Sequence, residues 1–188
     1  MKEKCLLILM ALLLISFGVF STAMADDNGH RERKRYQKRE RNHSENKSKR
    51  HLAPVNNATY RAHCGECHFV YQPELLPSGS WRLILTSFKD HFGETIELDS
   101  DLSKAIAEYL KTNSAEYSSS RLAAKIMESL GNVKPTRITQ IPYIQREHHD
   151  IPPGTYERES IGSFSNCLAC HGTAERGIYD DDYVVIPQ

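Results

Sequence analysis

The sequence predicts a mainly α-helical chain whose second half is largely irregular. Apolar residues recur at helical spacing in three segments, which predicts helices over residues 80–92, 100–111 and 120–130. No segment alternates apolar and polar side chains as a half-buried strand would. From Asn132 onward prolines and polar residues dominate, so this part should consist mostly of loops.

The ends of the predicted helices are marked by residues that favour starts and stops. Ser80 and Asp99 are the cap candidates of the first two helices, and Gly93 and Gly131 follow the first and the third. A fourth, short helix is expected around residues 64–68.

The apolar content is low for a protein that must bury a large core. The chain has 188 residues, which allows one domain or two small ones and excludes a large multidomain enzyme. Only 39% of the residues are hydrophobic, and part of these lie in the first 25 residues. The folded protein therefore needs apolar mass from something other than its side chains.

The first 25 residues have the features of a secretory signal. Residues 1–4 are net positive, residues 6–20 form an almost unbroken apolar run, and Ala23-Met24-Ala25 fits a signal peptidase site. We expect cleavage after Ala25 and export to the periplasm, with Cys5 lost in the signal. The apolar run is short for a transmembrane helix, so an uncleaved anchor is the weaker interpretation.

The mature chain would then begin with a basic segment, residues 26–51, which precedes an acidic remainder. Residues 30–51 contain ten Lys or Arg and three Asp or Glu, whereas residues 52–188 contain 12 and 18, a net charge of −6. With Tyr36 as its only bulky apolar side chain, the basic segment should be disordered. A solvated tether is the simpler interpretation. Electrostatic docking to anionic lipid at a membrane or to an acidic partner is the functional one, and nucleic-acid binding is not expected of an exported protein.

All four cysteines of the mature chain lie in two Cys-x-x-Cys-His motifs. Two thiols three positions apart can each reach one vinyl group on the same porphyrin edge, and the histidine that follows then lies under the iron. The motifs therefore predict two covalently attached c-type haems with proximal histidine ligands. A zinc site or a disulfide framework explains the pattern less well, because neither requires a histidine after each pair. The motifs are Cys64-Gly65-Glu66-Cys67-His68 and Cys167-Leu168-Ala169-Cys170-His171.

Each iron also needs a ligand on its other side. Met127 is the only methionine of the mature chain, so at most one haem can have His/Met ligation, and a core position is the simpler interpretation of this methionine. His91 is the first histidine candidate. It would share the apolar face of the first predicted helix with Ile84 and Phe88, and a haem plane could pack against that face.

The second haem has two adjacent candidates, His148 and His149. They lie in a proline-flanked, irregular segment whose polar neighbours give no packing reason for two histidines. We predict His148 as the distal ligand and keep His149 as the alternative. His63 directly precedes Cys64, so it could reach only the haem of the other motif.

These residues and their order resemble the dihaem cytochrome c family, typified by a dihaem cytochrome of a photosynthetic bacterium. The resemblance implies bis-histidine ligation of both haems, with His91 and His148 as distal ligands, and electron transfer in the periplasm. It also implies redox partners such as an oxygen-binding monohaem cytochrome c or a membrane cytochrome b. The basic segment has no counterpart in the family. The resemblance rests on both haem motifs, Tyr71-x-Pro73-x-Leu75-Leu76-Pro77, Ser80-Trp81, His91-Phe92-Gly93, Tyr109-Leu110, residues 138–143 and Arg146-Glu147-His148.

The predicted function is electron transfer rather than catalysis. Two imidazoles on each iron leave no open position for oxygen or peroxide. The alternative is an enzyme or a gas-binding sensor with one open or labile iron, which fits if both His148 and His149 lie away from the iron. The predicted domains are a signal peptide (1–25), a basic disordered tail (26–51), a haem domain that looks like a reduced class I cytochrome c (52–131) and a largely irregular C-terminal haem-binding domain (132–188).

Overall fold

A computed structural model describes residues 27–188 of the chain. The expected signal peptide and its cleavage site after Ala25 lie outside the described residues. Within them the chain is mainly helical and contains no β-strand, only two isolated bridges, His91 with Glu94 and His171 with Val184. The α-helices are α1 (Asp27–Ser48), α2 (Ala58–Cys64), α3 (Ser78–Thr86), α4 (Ser100–Thr112), α5 (Arg121–Leu130), α6 (Pro142–Glu147) and α7 (Cys167–Cys170).

The second and third predicted helices are confirmed as α4 and α5, together with the Asp99 cap and the Gly131 stop. The side chain of Asp99 accepts hydrogen bonds from the first backbone N–H groups of α4, and that of Ser120 does the same for α5. Gly131 follows α5 with a positive φ of 54°, which glycine adopts without steric cost. The ends of α4 and α5 are set by residues only a few positions away, and the sequence therefore predicts them well.

The first predicted helix is wrong at both ends. Helix α3 begins at Ser78 and ends at Thr86, so Ser80 lies inside it as a fully buried residue instead of capping it. The hydroxyl groups of Thr86 and Ser87 donate to backbone carbonyls of the preceding turn, a competing bond that favours helix ends. His91 therefore lies in a turn beyond α3 and not on its face.

The short helix expected around residues 64–68 is also displaced. Helix α2 ends at Cys64, so it precedes the first motif, and the rest of the motif forms a turn. Gly65 permits this turn, because a Cβ atom there would collide with the carbonyl oxygen of Arg61 and with Val70.

Residues 47–188 form one compact unit, and the described residues up to Asn46 belong to another. The core of the larger unit draws on both halves of the chain: Leu76, Ile106, Ile126 and Ile141 are all buried in the same cluster. The predicted division at residue 131 is therefore not confirmed.

Helix α1 differs from the disordered segment that the sequence analysis expected. Residues 30–48 contain no glycine or proline, and Arg, Lys, Glu and Gln favour helix even where nothing packs on it. The lack of apolar surface predicts disorder, whereas the helix propensity of these residues favours α1. Every side chain between Arg31 and Asn42 is exposed.

No helix among residues 27–188 is both long and apolar enough to cross a bilayer.

Candidate functional site

The first Cys-x-x-Cys-His motif places His68 across a gap from His91. Their ring centres are 6.2 Å apart and their planes are inclined by only 22°. The Nδ1 atom of His68 lies 2.7 Å from the carbonyl oxygen of Phe69, a hydrogen bond that leaves Nε2 available for a metal. The sequence-predicted pair is thus brought to opposite sides of one gap.

A strained turn after α3 presents His91 to His68. The backbone N–H of His91 donates to the carbonyl of Glu94 at 2.7 Å, which closes the turn. Phe92 has a positive φ of 58°, a conformation that a residue with a side chain rarely adopts. Phe88 packs edge-on against the His91 ring, with ring centres 5.9 Å apart. The turn and the contact with Phe88 together fix the direction of the His91 imidazole.

A cavity of about 300 Å³ lies between these two histidines. Both cysteines of the motif and both histidines line it, and the remaining wall is mostly apolar. Its apolar lining includes Tyr60, Leu76, Trp81, Ile84, Leu85, Phe88, Ile96, Leu98 and Leu110. This is the apolar surface that a flat, largely hydrophobic cofactor would cover.

The second motif forms helix α7 and places His171 across a gap from His148. Their ring centres are 6.0 Å apart, with planes inclined by 62°. The Nδ1 atom of His148 lies 2.7 Å from the carbonyl oxygen of Ile144, so its Nε2 is likewise available. His149, the alternative candidate, is exposed, and its Nε2 lies 3.1 Å from a carboxylate oxygen of Asp150. The structure therefore brings His148, and not His149, opposite His171.

The second cavity has a volume of about 560 Å³. Cys167, Cys170, His148 and His171 line it, together with apolar side chains from α5, α6 and the C-terminal segment. Each cavity therefore combines two thiols, two facing imidazoles and an apolar wall. These residues fit one c-type haem in each cavity.

The two cavities share part of their walls. Ile138, Thr139 and Cys167 line both of them. The sequence analysis gave Ile138 and Thr139 no separate role, because nothing in the local pattern distinguishes them from other loop residues. Cys167 belongs to the second motif but also borders the cavity of the first.

A hydrogen-bond network joins the segment after the first motif to both ends of the second motif. The Tyr71 hydroxyl donates to the carbonyl of Ser165 at 2.8 Å. Gln72, which is 0% exposed, donates to the carbonyl of Ala174 at 2.6 Å and accepts from the Tyr179 hydroxyl at 2.7 Å. The Tyr179 ring packs against His171 with ring centres 5.5 Å apart. The sequence analysis missed Gln72 and Tyr179, whose partners lie about a hundred residues away.

Burial also sets the protonation of the site residues. It lowers the pKa of His91, with a further contribution from nearby His68, and it lowers the pKa of His171, with a contribution from nearby His148. Neutral imidazole, which burial favours, is the form that binds a metal. Burial raises the pKa of the Cys64 thiol to about 11 and that of the Cys167 thiol to about 11.

Two other residues considered as ligands lie elsewhere. Met127 is half-buried against the hydrophobic core and lines neither cavity, as the core interpretation predicted. His63 borders the first cavity but is exposed. Across residues 27–188, no three His, Cys, Asp or Glu side chains converge as they would around a zinc ion.

The chain is similar to known dihaem cytochromes over most of its length. Residues 60–179 match the sequence profile of the family described as dihaem cytochrome c. The crystal structure of a dihaem cytochrome c from Shewanella baltica OS155 is 35% identical, with a TM-score of 0.57, and the match covers 71% of this chain and 94% of that one. The dihaem cytochrome c from Rhodobacter sphaeroides is 34% identical, with a TM-score of 0.60, over 68% of this chain and 100% of that one. No functionally curated protein matches the chain.

Proposed function

Because the chain belongs to the dihaem cytochrome c family, and therefore carries two c-type haems with their iron, we propose that it transfers single electrons and has no enzymatic activity of its own. A c-type haem supplies an iron that changes its charge by one unit when it accepts or gives up an electron. The protein supplies the attachment, the axial ligands and the apolar surroundings that set the potential. On this proposal Cys64 and Cys67 hold one haem, and Cys167 and Cys170 hold the other.

The spacing of the histidine pairs is the observation that carries the proposal. Two imidazoles that bind one metal ion from opposite sides, each through a bond of about 2 Å, have ring centres about 6 Å apart. The ring centres of His68 and His91 are 6.2 Å apart, and those of His148 and His171 are 6.0 Å apart. This agreement supports bis-histidine ligation at both sites, with His68 and His171 as proximal ligands.

Closed axial positions favour electron transfer over catalysis. Two fixed imidazoles leave no position for oxygen, peroxide or carbon monoxide, and they favour a lower potential than a His/Met pair. His148 holds its orientation through the Ile144 carbonyl, and His91 through its turn, so neither ligand needs to move when an electron arrives. Each cavity has a histidine on either side. We therefore propose no second function that would need an iron with an open ligand position.

The common wall of the two cavities supports exchange between the two sites. Cys167, which would carry one haem, also lines the cavity of the other. The bonds of Tyr71 and Gln72 to the flanks of the second motif hold the two sites at a fixed separation. A short, fixed separation lets one chain accept an electron at one site and release it from the other.

The location and the partners belong to the same proposal. The features of the first 25 residues support export to the periplasm, where the mature protein would meet its redox partners. An oxygen-binding monohaem cytochrome c or a membrane cytochrome b is the kind of partner that we propose. The net charge of −6 over residues 52–188 would steer a basic partner in a weak, salt-sensitive encounter.

A carbon monoxide titration of the reduced holoprotein tests the closed irons. We expect sharp c-type absorption bands from two haems per chain, and we expect them to remain unchanged when carbon monoxide is added. A band shift from one haem would reveal an open or labile position. That result would replace electron transfer with the gas-binding or enzymatic alternative.

The adjacent histidines offer a matched pair of variants. His148→Ala should convert one haem to a high-spin or water-ligated form that now binds carbon monoxide. His149→Ala should leave both haems low-spin, because His149 is exposed and contacts Asp150. The reverse pattern would assign the ligand to His149 instead.

A further inference from the structure

Between Arg31 and Asn42, helix α1 places most of its positive charge on one face and its negative charge on the other. At 100° per residue, Arg31, Lys34, Arg35, Lys38, Arg39 and Arg41 fall within an arc of about 160°, which we call the basic face. The face extends for about 15 Å along the helix, at 1.5 Å per residue. All six side chains are exposed.

Within residues 31–42 the reverse of the helix carries both acidic residues, together with Arg33. Glu32, Tyr36 and Glu40 follow one another at intervals of four and so form one stripe opposite the basic face. Lys34, Arg35, Lys38 and Arg39 form no ion pair with a carboxylate among the described side chains. Among the described side chains, no carboxylate therefore neutralises the charge of these four residues.

We propose that the basic face of α1 binds the surface of an anionic phospholipid membrane, through contacts of its Lys and Arg side chains with headgroup phosphates. Four of the six residues are arginines, whose planar guanidinium groups match phosphate oxygens in pairs. A bilayer surface offers phosphates over an area large enough to meet the whole face at once. This proposal is independent of the electron-transfer function.

The composition of the basic face favours lipid over an acidic protein. The centre of a protein interface is depleted of charge and carries aromatic or apolar side chains that exclude water. The basic face has none, and Tyr36, the one aromatic residue of α1, points to the reverse side. Adhesion by charge alone suffices at an anionic membrane, where each Lys or Arg near the surface contributes about 1 kcal/mol, or about a fivefold change in partitioning.

Co-sedimentation of the holoprotein with vesicles tests the proposal, and the haem absorbance measures the bound fraction. At low salt we expect binding to vesicles of equal parts phosphatidylglycerol and phosphatidylcholine, and none to phosphatidylcholine alone. At about 1 M salt, where the Debye length is about 3 Å, the binding should be lost. Equal binding to both vesicles, or none to the anionic ones, would overturn the proposal. The second result would leave an acidic protein as the partner.

Arg33 and Arg35 provide a matched pair, because they are two residues apart and lie on opposite sides of α1. Arg35→Gln should weaken binding to the anionic vesicles about fivefold, whereas Arg33→Gln should change it less than about twofold. Both variants lose the same charge and the same side chain, and both positions are exposed. Equal effects would show that only total charge matters and would refute an oriented face.

A rearranged helix of unchanged composition gives a second test. The combined changes Glu32→Arg, Arg35→Glu, Arg39→Glu and Glu40→Arg keep the net charge but move two cations off the basic face and place two anions on it. We expect binding to fall at least tenfold while the haem spectrum stays unchanged. Binding at the original level would again refute the role of the face.

Discussion

Replacing Gln72 with leucine would test whether the two haem sites depend on one buried hydrogen-bond network. The Gln72 amide is completely buried, donates to the Ala174 carbonyl at 2.6 Å and accepts from the Tyr179 hydroxyl at 2.7 Å. Burial raises the pKa of Tyr179, so its hydroxyl keeps the proton that it donates. Leucine is similar in size but can form neither bond.

The expected cost comes mainly from the Tyr179 hydroxyl, which loses its partner, because the Ala174 carbonyl still accepts from the Gly177 N–H. A buried group that loses its hydrogen-bond partner costs about 1–3 kcal/mol, and leucine recovers part of this through its additional apolar surface. We therefore expect Gln72→Leu to lower the free energy of unfolding by about 2 kcal/mol. With a slope of about 2 kcal/mol per molar urea, the midpoint of holoprotein unfolding should fall by about 1 M.

A double-mutant cycle with Tyr179→Phe shows whether the loss comes from this bond. Tyr179→Phe alone should cost about 1–2 kcal/mol, and the combined variant should cost at least about 1 kcal/mol less than the sum of the two, because no unpaired hydroxyl remains. Since the Tyr179 ring packs on His171, the absorption spectrum of the second haem should also change in Gln72→Leu. Additive costs, or a midpoint within about 0.3 M of the parent protein, would refute the reasoning.

Three further predictions concern the first haem site, a glycine with a positive φ and the start of α3. His91→Ala should give one high-spin or water-ligated haem with a raised potential, visible in the absorption spectrum and in a redox titration; two fully low-spin haems would exclude His91 as a ligand. Gly177→Ala should destabilise the protein by at least about 2 kcal/mol in denaturant unfolding, because Gly177 has a positive φ of 73° and a Cβ atom added there would collide with a backbone carbonyl. Gly154→Ala is the control and should have little effect, because a Cβ atom there meets open space. Glu116→Gln should cost about 1 kcal/mol at neutral pH, because the Glu116 carboxylate accepts from the Ser78 N–H at the start of α3. Partial burial acts to raise the pKa of Glu116, but the hydrogen bonds from Ser78 outweigh it and hold the pKa below its usual 4.5. The stability difference between the parent protein and the Gln variant should therefore be complete above pH 4.5 and vanish as the pH falls through the lower pKa of the folded state. A stability difference that stays constant down to acid pH would contradict this reasoning.

The sequence alone determined the features that depend on near neighbours. Both haem motifs are pentapeptides, so the number of haems and their attachment follow directly from the order of residues. Helices α4 and α5 follow from apolar spacing, from the cap at Asp99, whose bonds reach only two or three residues, and from the stop at Gly131. Helical spacing identified His91 as a candidate, although it placed His91 wrongly on a helix, and the polar surroundings of His148 and His149 identified that pair.

Only the tertiary structure decided the features that join distant parts of the chain. The Glu116 carboxylate accepts from the Ser78 N–H at the start of α3, although the two residues are 38 positions apart. No local pattern predicts a helix cap from a residue so distant in the sequence. The orientation of His148 toward His171, with its neighbour His149 turned to solvent, depends on how α6 ends and packs, because both histidines have the same local context. Gln72 reaches Ala174 across 102 residues. Such contacts depend on the path of the whole chain, whereas caps and motifs depend on a few covalent neighbours. This difference explains why sequence reasoning found the candidate histidines but not the network that joins the two sites.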